Sequence, residues 1–357
     1  MGYVFVKIIS ITFITISCVI TASIAEEKAL TLVSFKGISS EIQSKYMIDP
    51  YIEQTKHPIL SEHYSGDIAE IKAQVASNNI RWDIVEIAAM DLERACNEGI
   101  LEPLPKTILS KGNNGIAATQ DFLLEALFSE CGIGTMIPAY IFAFNEQTIG
   151  KIYPKNLNDI FDIKKIPGKR AFRQSPQINL EWALLADGVP KEVLYQTLAT
   201  EQGQQRAFVK LDSIKEHIIW FNHWSQAPEL LDVGGAVIVQ SANGDIYHAI
   251  TQKKKPFRIV WDDNIYDLNM WGIVKGTKHK QTALDFIAFA TGSKALASMS
   301  NIAYAPTRKS SMTFVSPNVI PFLPTTHMKQ GLKADSHFWS DYGETLTLKF
   351  NQWLLKQ

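Results

Sequence analysis

Polar and apolar positions alternate over the first part of the chain in short blocks that predict a repeated strand–helix rhythm. Leu30 to Phe35 is a short apolar run that reads as a strand and ends in Lys36-Gly37-Ile38-Ser39-Ser40. Gly37 permits a tight turn, and Ser39 or Ser40 can cap a helix running to about Thr55. Pro58 to Tyr64 reads as a second strand. Gly66-Asp67 then opens a helix that keeps Ile68, Ile71 and Val75 on one face, at helical spacing. Trp82 to Ala88 is a third strand, followed by a short helix from Asp91 to Glu98. This β-α-β-α-β series predicts a doubly wound, mostly parallel sheet whose ligands bind outside the carboxyl ends of its strands. Ser39 and Ser40 stand at that edge, either as plain helix caps or as ligand contacts.

Further along, Gly132 to Phe144 is apolar and reads as a strand that continues elsewhere in the fold. Gly132 and Gly134 are not a dinucleotide fingerprint, because the third glycine is absent and no helix follows. Gly168 to Arg173 is a strand ending at Gln174-Ser175-Pro176, and a helix with proline in its first turn follows through Asp187. Arg173 thus stands between a strand end and a helix N-terminus, where positive potential favours an anion; a surface ion pair is the alternative. Residues 190 to 217 read as helical, and 227 to 232 as a short helix. Ala236 to Gln240 is a strand, and Ser241-Ala242-Asn243-Gly244-Asp245 turns from it into a helix near Ile246. Phe257 to Trp261 is the next strand. It leads into the stretch Trp261 to Lys275, WDDNIYDLNMWGIVK, where Asp262, Asp263 and Asp267 alternate with Trp261, Tyr266 and Trp271. Rings and carboxylates in that mixture suit an organic ammonium group, although a surface loop leading into a core strand shows the same pattern. Helices are predicted over 282–290, 293–302 and 338–355, with the Tyr304-Ala305-Pro306 turn between the second and third.

Composition narrows the class. A chain of 357 residues with 46% hydrophobic, 20% charged and 10% aromatic residues is ordinary globular protein, long enough for two domains. A net charge of −1 excludes an electrostatic footprint for nucleic acid, and Lys253-Lys254-Lys255 is explained as a solvated loop. Lys7 before the apolar run Ile8 to Ile20, with small residues at Ser23 and Ala25, predicts a signal peptide over 1–25, cleaved after Ala25. A lipid anchor on Cys18 is disfavoured by Thr15 three residues earlier. No later segment approaches the ~20 apolar residues of a membrane span, so the mature protein is expected to be soluble in the periplasm.

Removing Cys18 leaves Cys96 and Cys131, an even pair in an oxidising compartment. They are either a disulfide or two separate buried thiols; the spacing, with no nearby His, argues against a metal site. No G-x-S-x-G, H-E-x-x-H or phosphate-loop motif is present, the eight His are scattered, and no cofactor signature stands out. Nothing therefore argues positively for an enzyme.

Several short segments, in order, resemble one family. W-D-I-V at 82–85, G-K-R-A at 168–171, E-W-A-L-L-A-D-G-V-P at 181–190, N-G-x-I-Y at 243–247, F-I-A-F-A at 286–290 and A-P-T at 305–307 are similar to the periplasmic solute-binding proteins of ABC importers. Among them the chain resembles the spermidine/putrescine-binding branch and its relatives. The resemblance implies a two-lobed type II fold of two doubly wound α/β lobes joined by two crossing strands, near Thr135 to Ile141 and Tyr266 to Ile273. Lobe one would be 26–136 plus 270–357, and lobe two 137–269. It also implies a monomer that delivers a small solute to a membrane permease.

Transferred residue by residue, the polyamine pattern breaks. Ser175, Ile178 and Asn269 stand where that branch carries carboxylates, while Ala242 and Asp267 stand where it carries tryptophans; Tyr304 is kept. A multiply charged amine in a cleft needs paired carboxylates. Their loss, beside Arg173, points to a solute with one amine and one carboxylate, a short ω-amino acid such as γ-aminobutyrate. Asp267 or Asp245 would take the amine, and Arg173 with Ser175 the carboxylate. Phe35, Tyr266 and Trp271 would form the walls, with Ser39, Ser40, Ser241, Asn269 and Tyr304 as further contacts. The alternatives are a putrescine or spermidine binder, an iron-binding relative and, from another class, a secreted hydrolase.

Overall fold

The computed structural model describes residues 1–3 and 29–355. Nearly all of the proposed leader, its cleavage point after Ala25 and Cys18 lie outside the described residues. The strands are β1 (Leu30–Phe35), β2 (Ile59–Tyr64), β3 (Ile84–Ala88), β4 (Leu101–Glu102), β5 (Gly132–Ile137), β6 (Ala139–Asn145) and β7 (Arg170–Arg173). They continue as β8 (Ile218–Phe221), β9 (Ile238–Ala242), β10 (Phe257–Tyr266), β11 (Asn269–Val274), β12 (Ala305–Pro306) and β13 (Leu332–Lys333). They form two sheets. One runs β12-β5-β11-β3-β1-β2, with β4 added beside β11; the other runs β13-β10-β6-β9-β7-β8.

In the first sheet β2, β1 and β3 are parallel, as the strand–helix rhythm requires, while β11 and β5 are antiparallel additions. The second sheet keeps β9, β7 and β8 parallel and sets β6 antiparallel to both β9 and β10. Each sheet has its own apolar core. Leu32, Val33, Ile84, Val85 and Ile273 are buried in the first lobe, and Phe142, Phe172, Trp182 and Leu184 in the second.

The long apolar run at 132–144 is not one strand. Pro138 has no N–H to give a sheet ladder, and the chain leaves the first sheet at Ile137 and enters the second at Ala139. The return crossing is equally sharp, at Asp267-Leu268 between β10 and β11. A third crossing was not foreseen. Leu323 belongs to the first core, whereas Leu332, Phe338, Trp339, Leu346 and Phe350 belong to the second. The strand β13 pairs with β10, so the end of the chain sits with lobe two rather than with the expected 270–357 segment of lobe one. The predicted stripe of the last helix, Ser336–Leu355, explains this: Leu346, Phe350 and Trp353 are buried among the aromatics of the second lobe. That helix also packs on the helix Ala89–Asn97 of the first lobe, with His337 Nδ1 2.8 Å from the Glu93 carboxylate.

Cys96, on the helix Ala89–Asn97, is bonded to Cys131 just before β5, with Cα atoms 5.7 Å apart. The bridge ties the helix to the strand that leads into the first crossing. Its loop spans 35 positions, and the chain-entropy model gives such a loop ~4 kcal/mol. Replacing both cysteines by serine is therefore expected to lower the unfolding free energy by an amount of that order, read as a lower urea midpoint; equilibrium unfolding with an unchanged midpoint would refute it.

Candidate functional site

The three crossings leave a narrow cavity between the lobes, at the carboxyl ends of β1, β3, β7 and β9. It is lined from lobe one by Phe35, Gly37, Ser39, Gly66, Met90, Asp91, Asn269 and Tyr304, and from lobe two by Tyr140, Arg173, Gln177, Ile178, Trp224, Ala242 and Asp245. Its volume is about 40 Å³, against about 10–15 Å³ for one water on the same measure. The space suits a solute of a few heavy atoms.

Arg173 ends β7 and reaches across the cleft. Its Nη2 donates to Ser65 O of lobe one at 2.7 Å, and its guanidinium lies 5.1 Å from the Trp224 ring. Trp224 in turn stacks on Tyr140 at 5.0 Å. The backbone is fixed as firmly: Arg173 N donates to Gln240 Oε1, and Arg173 O accepts from Asn179 Nδ2. A guanidinium has five N–H donors, so most remain free to meet an anion. Gly66 makes room for it. At φ +94° a Cβ there would come within 2.6 Å of the Phe35 ring and 3.6 Å of Arg173 Nη2.

Asp245 sits in the first turn of the helix Asn243–Thr251, which follows β9 without a loop. The turn expected over 241–245 is therefore absent, and Asn243 does other work. Its Oδ1 accepts from Ala139 N at the first crossing, while its Nδ2 donates to Ala303 O of lobe one at 2.7 Å. Burial raises the Asp245 carboxyl to about 7, although a hydrogen bond from the Ile38 backbone pulls the other way. Among the described residues no salt bridge holds it. The charges that act on Asp245 are Lys253 and Glu41, whereas those that act on Arg173 are Tyr140, Asp91 and Tyr64. Arg173 and Asp245 thus form no ion pair with each other, although Asp91 on the same wall acts on Arg173 and Lys36 also lines the space.

Of two further carboxylates nearby, Asp91 lines the space and Asp267 lies beneath it. Asp91 accepts from Gln177 Nε2 at 3.0 Å, an interlobe contact, and lies 3.5 Å from Arg94. Burial raises it above the ordinary carboxylate range. Asp267 is enclosed at the second crossing, accepts from Met90 N at 3.3 Å, and is raised by burial to about 7. The apolar side is completed by Ile178, held at φ 73° at the start of the helix Asn179–Ala186. A β-branched residue in that region is strained, and here it presents its side chain to the cavity. The helix begins at Asn179, so Pro176 precedes it instead of lying in its first turn.

Of the residues singled out in the sequence, Phe35, Ser39, Arg173, Asp245, Asn269 and Tyr304 meet at this cavity. The others lie elsewhere. Ser40 Oγ donates to Gly37 O as a turn hydrogen bond, and Ser241 Oγ to Ala242 O inside the sheet. Ser175 faces an adjoining outer groove, and Asp267 stays beneath the crossing. Tyr266 packs at the edge of the cores, and Trp271 is fully buried against Phe286 in lobe one. Both aromatic walls of the crossing stretch are therefore core or hinge residues. The walls come instead from Tyr140 and Trp224, isolated aromatics in strand and loop with no sequence signal of their own.

Among the described residues no group of His, Cys, Asp and Glu could hold a metal ion, and no helix is long and apolar enough to cross a membrane. Comparison with known proteins agrees with this geometry. Residues 47–320 match the bacterial extracellular solute-binding protein family. The chain is 34% identical, over 93% of its length and 92% of the relative's, to a gamma-aminobutyric acid-binding protein of Pseudomonas aeruginosa. The solved structure of the Atu4243 GABA receptor superposes with a TM-score of 0.80 at 27% identity, covering 92% of this chain and 98% of that one. The binding protein MotA of A. tumefaciens B6, solved with glucopine, shares the fold with a TM-score of 0.85 at 24% identity over 92% and 100%. With its two lobes and its solute-sized cleft, the chain belongs to the bacterial extracellular solute-binding proteins that serve ABC importers.

Proposed function

We propose that this protein captures a short ω-amino acid, γ-aminobutyrate or a close homologue, and releases it to a membrane permease. The observation that carries the reading is the separation of Arg173 from Asp245 across an apolar-walled cavity. A buried charge without a partner costs several kcal/mol, and a zwitterion answers both ends at once. The solute carboxylate would meet the free N–H donors of Arg173, and its ammonium would meet Asp245 under the Tyr304 ring. Phe35, Tyr140, Trp224 and Ile178 would enclose the methylene chain. The names borne by the Pseudomonas relative and by the GABA receptor structure support the same solute class.

A polyamine fits less well, since Arg173 would stand against one of its cationic ends. We read the protein as a monomer exported by its leader and cleaved after Ala25, working outside the cytoplasm as its family does. The Ser65–Arg173 and Asp91–Gln177 contacts cross the cleft, so the closed arrangement is one that solute binding would favour.

Calorimetric titration with γ-aminobutyrate, putrescine and spermidine is the direct test. Saturable binding of the amino acid is expected, while micromolar putrescine binding with no response to γ-aminobutyrate would overturn the reading. Arg173→Met should weaken γ-aminobutyrate binding roughly a hundredfold, the cost of removing one partner of a buried charge pair; an unchanged Kd would remove Arg173 from the site.

Acidification gives a second check. With its carboxyl raised to about 7, Asp245 is largely protonated below that pH in the free protein, and a neutral acid loses its attraction for an ammonium. Affinity should therefore fall as pH drops from 8 towards 5, by up to about tenfold per unit in the acidic limb. In free protein the sign is opposite. Stability contributed by a raised carboxyl is present at low pH and lost as pH rises through about 7. The thermal shift produced by γ-aminobutyrate should accordingly grow from pH 5 to 8, and Asp245→Asn should bind weakly throughout with that slope flattened.

A further inference from the structure

Arg94 stands outside the cavity yet holds a group on its wall. It lines the outer groove, and its guanidinium lies against the C-terminal helix, where a Cβ on Gly343 would come within 3.7 Å of Nη1. Its Nη2 is 3.5 Å from Asp91 Oδ1, and Gln177 Nε2 donates to the same oxygen at 3.0 Å. Asp91 and Arg173 each line both the cavity and the groove, so the two side chains adjoin. Each bears on the other's charge, yet among the described residues the one ion pair of Asp91 is with Arg94. Resting on the amino-acid reading of the site, we propose that Arg94 is a positioning residue: it holds Asp91 off Arg173, and so leaves the Arg173 guanidinium for the carboxylate of the solute.

Two anions compete here for one guanidinium. Of the groups that act on Arg173, Asp91 is the carboxylate, the others being the Tyr140 and Tyr64 hydroxyls. Asp91 itself is raised by burial and by Asp67, and is pulled down by Arg94 first, then by Gln177 and Arg173. It also bears on Asp267, Tyr64 and Tyr140. Other cations are badly placed to hold it. Lys72 and His223 line only the groove, Lys72 is 3.0 Å from Glu98, and Lys36 is exposed. A largely buried carboxylate is costly without a compensating charge, and Gln177 supplies a donor but no charge. Without Arg94, Asp91 would therefore turn to Arg173 and fill the anion site from within the protein. Such self-pairing lowers the competent fraction of the protein, and the apparent affinity falls by the same factor.

Arg94→Met tests this because it removes the cation and keeps an unbranched side chain against Gly343. At pH 8 its affinity for γ-aminobutyrate should fall roughly tenfold or more, while that for 4-amino-1-butanol, which has no carboxylate, changes much less. Adding Asp91→Asn removes the competing anion and should restore γ-aminobutyrate binding, a rescue that a merely structural Arg94 would not allow. Arg94→Lys, which keeps the charge, should retain most of the affinity. Equal losses for the two solutes, or no rescue in the double variant, would overturn the proposal. So would unchanged γ-aminobutyrate binding in Arg94→Met, the result expected if the released carboxyl simply takes a proton. A solute-free measurement separates the proposal from the choice of solute. Arg173→Met should lower the melting temperature more in the Arg94→Met background than in the wild type, because only there does Arg173 hold Asp91. Equal shifts in the two backgrounds would refute the positioning role even if γ-aminobutyrate binds. If the shifts differ as expected yet wild-type protein ignores γ-aminobutyrate, only the solute reading fails.

Discussion

Around the cleft the fold sets a guanidinium and a carboxylate on the wall of one cavity without pairing them. Two opposite charges in a low-dielectric space attract strongly, and a flexible pair would collapse into an ion pair with no room for a solute. The fold prevents this by holding each charge on separate scaffolding. Arg173 is pinned at the end of β7 by Gln240 and Asn179, pressed against Trp224, and drawn outward by Ser65 O. Asp245 is held in the first turn of a helix whose leading residue, Asn243, is locked to both lobes. Under the proposed function, a zwitterion would bridge the two.

That arrangement explains why so much of the rigidity lies at the crossings. Pro138 forces the first exchange of sheets, and Asp267-Leu268 makes the second without any spare residues. Asn243 reaches from lobe two to Ala303 O of lobe one, beside the Tyr304 that covers the cavity. Gly244 sits against the same ring, where a Cβ would come within 2.6 Å of Tyr304 and 2.8 Å of Ile302 O. Asparagine followed by glycine is needed here for two reasons at once: one residue bonds across the cleft and the next lets the lobes touch.

The strands of lobe one were legible in the sequence because their apolar runs are bounded by glycine, proline and cap residues; β1 at Leu30–Phe35 matches the predicted span. Arg173 and Asp245 were legible as well, since a charged residue at a strand end beside a helix start is uncommon and placed where α/β sheets bind ligands. The stretch from Trp261 to Lys275 misled for a physical reason. The mixture of rings and carboxylates does not show which sheet β11 joins; every residue of that strand is buried between β3 and β5, and the indole packs on Phe286 in the core of lobe one. Tyr140 and Trp224 escaped notice because a wall residue needs no pattern, only a position opposite the charge.

The long C-terminal helix carries the same lesson into the architecture. Its apolar stripe was plain in the sequence, yet a stripe does not name the surface that covers it. Phe350 and Trp353 find Trp220 in lobe two, while Glu93 of lobe one reaches His337 near the start of the helix. The helix therefore buries its stripe in lobe two while also packing on the helix Ala89–Asn97 of lobe one, whose Met90 joins the same core. Apolar packing resists sliding because close-packed side chains have few alternative fits, whereas exposed ion pairs contribute little and re-form easily.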